Sequence, residues 1–150
     1  MRVRKFESQL WLPQPLEEVF AFFSDAANLD AITPPWLHFR TVTPRPMEMH
    51  LSATIDYKLR IHGFPIRWRS KITAWEPPMR FVDEQVRGPY RLWIHEHTFA
   101  ERDGGTLVCD RVHYAVPFDW LVHPLLVRGD MERIFRYRSD MLRRHFGVPA

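Results

Sequence analysis

Residues Phe81–Val116 read FVDEQVRGPYRLWIHEHTFAERDGGTLVCDRVHYAV, a pattern that predicts three β-strands joined by two tight turns. Gly88-Pro89 and Asp103-Gly104-Gly105 supply the turns, because glycine reaches positive φ freely and proline interrupts a hydrogen-bonded ladder. Since side chains alternate between the two faces of a strand, one face of the middle strand should carry Trp93, His95, His97 and Phe99. Aromatic rings mixed with imidazoles are typical of the wall of a mostly apolar pocket with a few polar groups.

Outward from this stretch, the hydrophobic spacing predicts four further strands, two short helices and one long helix. The strands are expected over Lys5–Leu12, His38–Thr43, Ile55–Ile61 and Ile66–Trp75, with a loop or irregular edge over Pro44–Leu51. The short helices lie between the first two strands, beginning at Pro15 and ending before Pro34-Pro35. Beyond Pro117, apolar residues at helical spacing run from Leu126 to Phe146 and predict a long amphipathic helix.

Composition indicates one globular domain over residues 1–150, with 45% hydrophobic, 14% aromatic and 26% charged residues. The net charge of +3 does not indicate a nucleic-acid partner, because the basic residues are spread along the chain without a recognisable binding motif. The densest group, Arg67, Arg69 and Lys71, alternates with Trp68, Ser70 and Ile72. That spacing is typical of a solvated strand face opposite a buried one.

The remaining global features point to an intracellular protein without disulfides. Cys109 is the single cysteine, so no intrachain disulfide can form. No apolar run reaches the roughly 18 residues that a transmembrane helix requires. Met1–Gln9 contains no apolar segment of the kind found in signal peptides, so we expect a cytoplasmic location.

Three segments of the chain resemble the helix-grip superfamily, which includes START lipid-transfer domains, Bet v 1 allergens and polyketide cyclases. PLEEVFAFFSDAANL at Pro15–Leu29 resembles the usual opening of that superfamily's first two helices. AITPPWLHF at Ala31–Phe39 and GPYRLWIHEHTF at Gly88–Phe99 resemble a bacterial subgroup of polyketide cyclase/dehydrase-like or ligand-binding proteins. The resemblance implies an α+β fold, in which a curved seven-stranded antiparallel sheet surrounds a long C-terminal helix and leaves an elongated cavity between them. It implies no single reaction, because this fold serves binding, transfer and catalysis.

Two histidines and a carboxylate are the candidate catalytic groups. His95 and His97 share a strand face roughly 7 Å apart, and Asp110 lies on the neighbouring strand. Such a set could bind a metal, but no third histidine or HExxH string supports that, so we expect neither a metal nor another cofactor. The alternatives are proton transfer, by His97 with Asp110 or by His95 with Asp83, and mutual hydrogen bonding without catalysis.

Seven further side chains are expected to contact a ligand. Asp83 and Gln85 share a strand face with Phe81, and should therefore point inward if Phe81 does. Arg138 on the last helix could pair with Asp83 or Asp110, clamp a ligand carboxylate, or extend to the helix edge. The proposed wall is completed by four aromatic residues, Tyr57, Trp68, Trp93 and Tyr114.

These residues support three functions of different kinds. The first is a binding protein for an apolar or aromatic small molecule of the lipid, polyketide or isoprenoid class. The second is a cofactor-independent cyclase or dehydratase that uses His95 or His97 in the same cavity. The third is an accessory protein that docks through Trp36, Trp120 and its basic surface. Trp36 and Trp120 could also form a lid, plug the sheet ends or contact a membrane transiently, and the oligomeric state stays open.

Overall fold

The structure is a computed structural model that describes residues 1–44 and 48–148. Seven antiparallel strands form one sheet in the order β1-β7-β6-β5-β4-β3-β2. The strands are β1 (Arg4–Leu12), β2 (Arg40–Thr41), β3 (Thr54–Ile61), β4 (Phe64–Glu76), β5 (Arg80–Arg87), β6 (Leu92–Arg102) and β7 (Gly105–Ala115). The helix-grip fold predicted from the sequence is confirmed.

Two short helices separate β1 from β2, as predicted. Helix α1 (Leu16–Phe23) begins after Pro15 and carries Glu17 and Glu18 in its first turn, where carboxylates interact favourably with the helix dipole. Helix α2 (Leu29–Ile32) follows a short 3-10 turn, Ala26–Asn28, whose start is capped by the Asp25 side chain. The apolar face of α1 packs on the sheet, with the Phe20 and Phe23 rings each 5.2 Å from the ring of Phe99.

Burial along the strands follows the alternation expected of a sheet with one covered face. In β6, His95, His97 and Phe99 are buried, whereas the neighbouring residues are more exposed. Arg67, Arg69 and Lys71 lie on the exposed face of β4, as predicted. Strand β2 is shorter than the predicted His38–Thr43, because His38 adopts a left-handed conformation with φ 47° that closes a preceding 3-10 turn. Of the predicted loop Pro44–Leu51, residues 45–47 lie outside the described residues.

The C-terminal helix covers the inner face of the sheet. Helix α3 (Asp119–Val122), a π-helical turn (His123–Val127) and helix α4 (Arg128–His145) form one continuous helical stretch of 27 residues. The predicted helix is therefore confirmed, and the π turn coincides with Pro124, which has no N–H to donate to the α-helical ladder. Arg4 holds the start of this stretch against β1 through a two-bond ion pair with Asp119, at 2.8 and 2.9 Å.

Buried apolar residues form two groups under this helix. The larger group includes α1 and the end of the C-terminal helix, with Leu142 and Phe146. The smaller group lies near the start of α4 and includes Val112, Met131 and Phe135. None of the helices in the described ranges 1–44 and 48–148 is both long and apolar enough to cross a membrane.

Candidate functional site

A cavity of about 350 Å³ lies between the inner face of the sheet and α4. This volume is within the range of about 300–1,000 Å³ that is usual for small-molecule sites. Most of its wall is apolar and is supplied by several elements, including Leu29, Phe39, Ile55, Ile72, Trp93 and Ile134. Four ionisable groups of the lining, Asp83, His95, His97 and Arg138, meet at one place, where a bound molecule could contact several charged or polar side chains together.

Three rings are stacked in a column beside this polar group. The His95 and His97 rings have centroids 3.7 Å apart at an interplanar angle of 22°, and Phe81 stacks on His97 at 4.1 Å. The sequence correctly placed both imidazoles on one face, but the rings lie much closer than the expected strand spacing of roughly 7 Å. Both imidazoles turn towards each other because their ring nitrogens bond to carboxylates on the two adjacent strands.

Two histidine–aspartate hydrogen bonds run diagonally across neighbouring strands. His95 Nε2 is 2.7 Å from Asp110 Oδ1, and His97 Nε2 is 2.6 Å from Asp83 Oδ2. The sequence prediction paired residues that lie directly opposite, His97 with Asp110 and His95 with Asp83, and the structure exchanges the two partners. A longer contact of 3.4 Å still joins His97 Nδ1 to Asp110 Oδ1. All four groups therefore form one network.

Arg138 completes the network from α4. Its Nη2 atom lies 3.1 Å from Asp110 Oδ1, which confirms the predicted pairing with this carboxylate. The N–H groups at Nε and Nη2 are buried and find no well-aligned hydrogen-bond acceptor among the described residues. The guanidinium also lies over the rings of Phe23 and Phe135, at 5.3 and 5.6 Å from their centroids. Arg138 is thus held in place with donors still available on the cavity wall.

The surroundings shift the pKa values of the two histidines in opposite directions. Burial lowers the pKa of His95, and the charge on His97 lowers it further. Burial also disfavours the charged form of His97, but the hydrogen bonds that its ring donates to the Asp110 and Asp83 carboxylates outweigh burial and raise the pKa of His97. The site therefore favours a neutral His95 stacked on a cationic His97.

Both carboxylates in the network stay ionised. Burial alone would raise the pKa of Asp110, but the Arg138 charge and the two histidines hold it well below its usual value. Burial likewise acts to raise the pKa of Asp83, and the hydrogen bond from His97 overcomes it and lowers that pKa. Two carboxylates then face one guanidinium and one imidazolium, so the buried charges balance.

An NMR titration of the imidazole signals should show different pKa values for His95 and His97. His97 should titrate above the pKa of an unperturbed histidine and His95 below it, with His95→Gln and His97→Gln variants used to assign the signals. The raised pKa of His97 contributes stability below its unfolded-state value, and that contribution is lost as pH rises through the folded-state pKa. The lowered pKa values of Asp83 and Asp110 contribute stability that is lost as pH falls through their folded-state values. Equal pKa values for both imidazoles, or the reverse order, would contradict the charge assignment.

The other predicted site residues divide into two groups. Tyr57, Trp68 and Trp93 line the cavity, as do Asp83 and Arg138. Gln85 and Tyr114 are not among the described residues that line it. The Gln85 side-chain amide instead donates a hydrogen bond to the Tyr90 backbone carbonyl and accepts one from the Tyr90 backbone N–H. Tyr114 Oη lies 2.7 Å from His123 Nε2. Asp110 reaches the cavity only through the histidines and Arg138.

Several contributors to the site were missed in the sequence. Ser70 lies on the cavity wall and accepts a hydrogen bond of 3.0 Å from Trp68 Nε1. Its signal was a small polar residue at an inward position of β4, between Trp68 and Ile72. His62 and Asp130, which are 2.8 Å apart, also line the cavity. Their positions in the sequence give no indication of this contact, because it depends on how the β3–β4 turn packs against α4.

Trp36 and Trp120, which the sequence placed in loops, lie in the 3-10 turn Pro35–Leu37 and in α3, outside the cavity wall. Trp36 packs edge-on against Tyr137 of α4, with centroids 5.7 Å apart, and Trp120 is 76% exposed. Neither is among the described residues that line the cavity. The Trp36 ring therefore packs against α4, and the Trp120 ring lies at the protein surface.

The arrangement favours proton sharing over metal coordination. Donor atoms of Asp83, His95 and His97 all lie within 4.8 Å of one another, which is close enough for a shared ion. However, a metal ligand presents its lone pair in the plane of the ring, and two stacked, nearly parallel rings cannot both direct an in-plane lone pair at one ion. The Nε2 atoms instead face different carboxylates. Each imidazole is consequently oriented to hold or transfer a proton.

Solved structures with the same architecture come from bacteria and plants. Zhui aromatase/cyclase from Streptomyces sp. R1128 has a TM-score of 0.72 at 16% identity, covering 93% of this chain and 91% of that chain. Ginseng major latex-like protein 151 from Panax ginseng has a TM-score of 0.72 at 12% identity, with 98% and 99% covered. Protein CV1439 from Chromobacterium violaceum has a TM-score of 0.73 at 13% identity, with 97% and 99% covered. At these identities the similarity shows the fold.

Comparison of the amino-acid sequence with family models assigns the chain to a family, which the shared fold alone does not. No curated protein matches the chain significantly. A family model described as polyketide cyclase / dehydrase and lipid transport matches residues 12–143, which include the inner sheet face, the histidine pair and most of α4. Since that match spans most of the chain, the protein belongs to the polyketide cyclase/dehydrase and lipid transport family, within the helix-grip superfamily.

Proposed function

We propose that this protein binds an apolar small molecule of the lipid, polyketide or isoprenoid class, with a carbonyl or carboxylate oxygen directed at Arg138. The observation that carries the proposal is a buried guanidinium on a mostly apolar cavity wall, with N–H groups that lack a well-aligned acceptor among the described residues. A buried donor without an acceptor is costly, so a ligand oxygen would satisfy it.

Apolar contacts would supply most of the affinity for such a ligand. The gross gain is about 25 cal/mol per Å² of apolar surface removed from water, before the costs of association. Large rings line the cavity, with Phe23 and Phe135 beside Arg138 and Trp93 elsewhere on the wall, and such rings suit a flat or polycyclic molecule. The position of the charged groups would then fix which end of the ligand points inward.

Titration with 2-naphthoate, a bicyclic aromatic carboxylate, tests the proposed orientation. The Arg138→Gln variant should bind it at least about tenfold more weakly, because a hydrogen bond to a charged group contributes about 1.5–3 kcal/mol. Arg138→Lys keeps a charge beside Asp110 but loses the planar fork, so it should also weaken binding while preserving the network. The exposed Arg136→Gln on the same helix is the matched control. If both Arg138 variants bind 2-naphthoate as tightly as the unmodified protein and the Arg136→Gln control, the assignment of Arg138 is wrong.

A second candidate function is a cofactor-independent cyclase or dehydratase. The observation in its favour is a stacked pair of imidazoles on the cavity wall, with the pKa of His95 lowered and the pKa of His97 raised, as suits a base and an acid. His95 would take a proton from the carbon next to a carbonyl group. Arg138 would stabilise the resulting enolate oxygen, and His97 would protonate a hydroxyl group that leaves as water.

Asp110 and Asp83 would have positioning roles in this reaction. With Asp110 ionised, the His95 proton resides on Nε2, where it is donated to that carboxylate, and Nδ1 is left as the basic nitrogen. Asp83 similarly stabilises the imidazolium form of His97. After the elimination, the proton on His95 would return to His97 or to solvent and restore the starting state.

A further inference from the structure

Four strongly exposed apolar side chains lie at one end of the molecule. Phe64, Phe118, Trp120 and Leu125 are 72%, 70%, 76% and 70% exposed, respectively. We refer to these four residues as the apolar rim. Apart from the N-terminal Met1, no other large hydrophobic side chain in the described part of the chain is as exposed. Single exposed apolar residues are ordinary on protein surfaces, but a group of this size marks an interaction site.

The apolar rim lies at the end of the sheet to which the cavity extends. In this antiparallel sheet, the β3–β4 turn, the β5–β6 turn and the β7–α3 connection all fall at the same end. Phe64 is the first residue of β4, directly after the β3–β4 turn, and Phe118 lies in the β7–α3 connection. Trp120 in α3 and Leu125 in the π turn follow it. Cavity-lining residues come from all three connections, among them His62, Pro89 and Pro117. The exposed side chains therefore lie at the end of the sheet where residues of these three connections line the cavity.

The backbone holds Phe118 in an uncommon conformation. It has φ 51° and ψ 47°, in the left-handed region that a bulky residue rarely occupies. Despite this, its ring is directed away from the protein and remains 70% exposed. Because the Phe118 ring points outward, packing of the core does not account for its strained backbone. Strained backbone positions occur most often at functional sites.

Five arginines lie at the same end of the sheet as the apolar rim. Arg60 and Arg67 flank the β3–β4 turn, Arg87 and Arg91 flank the β5–β6 turn, and Arg128 begins α4. All five are exposed, and none forms an ion pair with another described residue. By contrast, the carboxylates of Asp119 and Asp130 at this end are already paired with basic side chains. Glu132, five residues into α4, is also exposed, so the exposed charge of these elements is predominantly positive.

We propose that the apolar rim and its five arginines dock on the surface of an anionic lipid bilayer. Aromatic and leucine side chains insert favourably among lipid head groups, and each basic residue adds attraction to anionic lipids. A bilayer fits better than a folded protein partner because the apolar side chains come from β4, the β7–α3 connection and the start of the C-terminal helical stretch, and exposed basic residues lie at the same end of the sheet. Docking there would let an apolar ligand pass between membrane and cavity without crossing water.

Co-sedimentation with vesicles tests this docking surface on the intact protein. Vesicles of phosphatidylcholine mixed with phosphatidylserine should bind the protein more tightly than vesicles of phosphatidylcholine alone. The double variant Arg87→Gln with Arg91→Gln should weaken binding to the anionic vesicles by roughly 25-fold, or about fivefold for each arginine. Trp120→Ser with Leu125→Ser should weaken binding to both kinds of vesicle, since it removes the inserting side chains.

Matched controls lie at the opposite end of the sheet. Met79→Ser, in the β4–β5 turn, and Arg102→Gln, at the end of β6, remove an exposed apolar and an exposed basic side chain and should leave vesicle binding unchanged. The proposal is overturned if the unmodified protein does not bind anionic vesicles, or if the control variants reduce binding as much as the rim variants. It is also overturned if the rim instead mediates self-association, detected by sedimentation velocity as a dimer that Trp120→Ser dissociates. None of these outcomes depends on the cavity ligand.

Discussion

Replacing Asp110 with asparagine is expected to lower the free energy of unfolding by about 3–5 kcal/mol at neutral pH. The substitution keeps the size of the side chain but removes one of two negative charges that compensate Arg138 and His97 in a buried site. The guanidinium would then remain in the protein interior without its ion pair. A buried charge that loses its partner costs far more than an exposed one, because water cannot replace the lost interaction.

The magnitude can be measured by denaturant unfolding followed with two optical probes, so that two-state behaviour is checked. Asp56→Asn is the matched control, because Asp56 also pairs with an arginine, at 2.7 Å, but both side chains are more than 40% exposed. That variant should lose only about 0–1 kcal/mol. Combining Asp110→Asn with Arg138→Gln should recover part of the loss, since the uncompensated charge is removed. Equal losses for Asp110→Asn and Asp56→Asn would show that the network is solvated rather than buried.

Replacing His95 with glutamine separates the two candidate functions most strongly. If the protein is a cyclase or dehydratase, the variant should lose rate by about 10²-fold or more, the usual contribution of a general base. If the protein only binds its ligand, no turnover above background exists to be lost, and affinity alone should change. Glutamine cannot accept a proton at neutral pH, but it can still donate a hydrogen bond towards Asp110.

The matched control for this experiment is His113→Gln. His113 lies on β7 next to Val112 but on the opposite, outer face of the sheet, away from the cavity. Turnover is followed by loss of substrate and release of water-eliminated or cyclised product, with candidate substrates chosen from molecules found to bind. A rate that survives His95→Gln unchanged, while the same variant stays folded, would exclude His95 as the base.

The inward direction of the site residues followed from strand periodicity. Side chains of a strand point to the two faces of the sheet in turn, so placing Trp93 and Phe99 on the covered face also places His95 and His97 there. Asp83 and Asp110 could be placed on that face in the same way. The C-terminal helix was also predictable, because its apolar stripe is long and regular.

The partners of these residues were not predictable to the same degree. Register placed His97 opposite Asp110, yet the closest hydrogen bonds run diagonally to the next pair, because side-chain rotamers and ring stacking decide which atoms meet. Tyr114 was assigned to the cavity wall on its strand face alone, but it bonds to His123 on the π turn. Gln85 similarly turns towards the Tyr90 backbone and stabilises the β5–β6 turn. Such contacts depend on how loops and helices pack, which periodicity does not encode.

A crystal structure of the protein with bound 2-naphthoate would test the central claim most directly. We expect electron density for the ring system inside the cavity, between α4 and the sheet, with the carboxylate within hydrogen-bonding distance of Arg138 and close to the His95 ring. The account would be contradicted by an interior that side chains fill completely, or by 2-naphthoate bound elsewhere with Arg138 untouched.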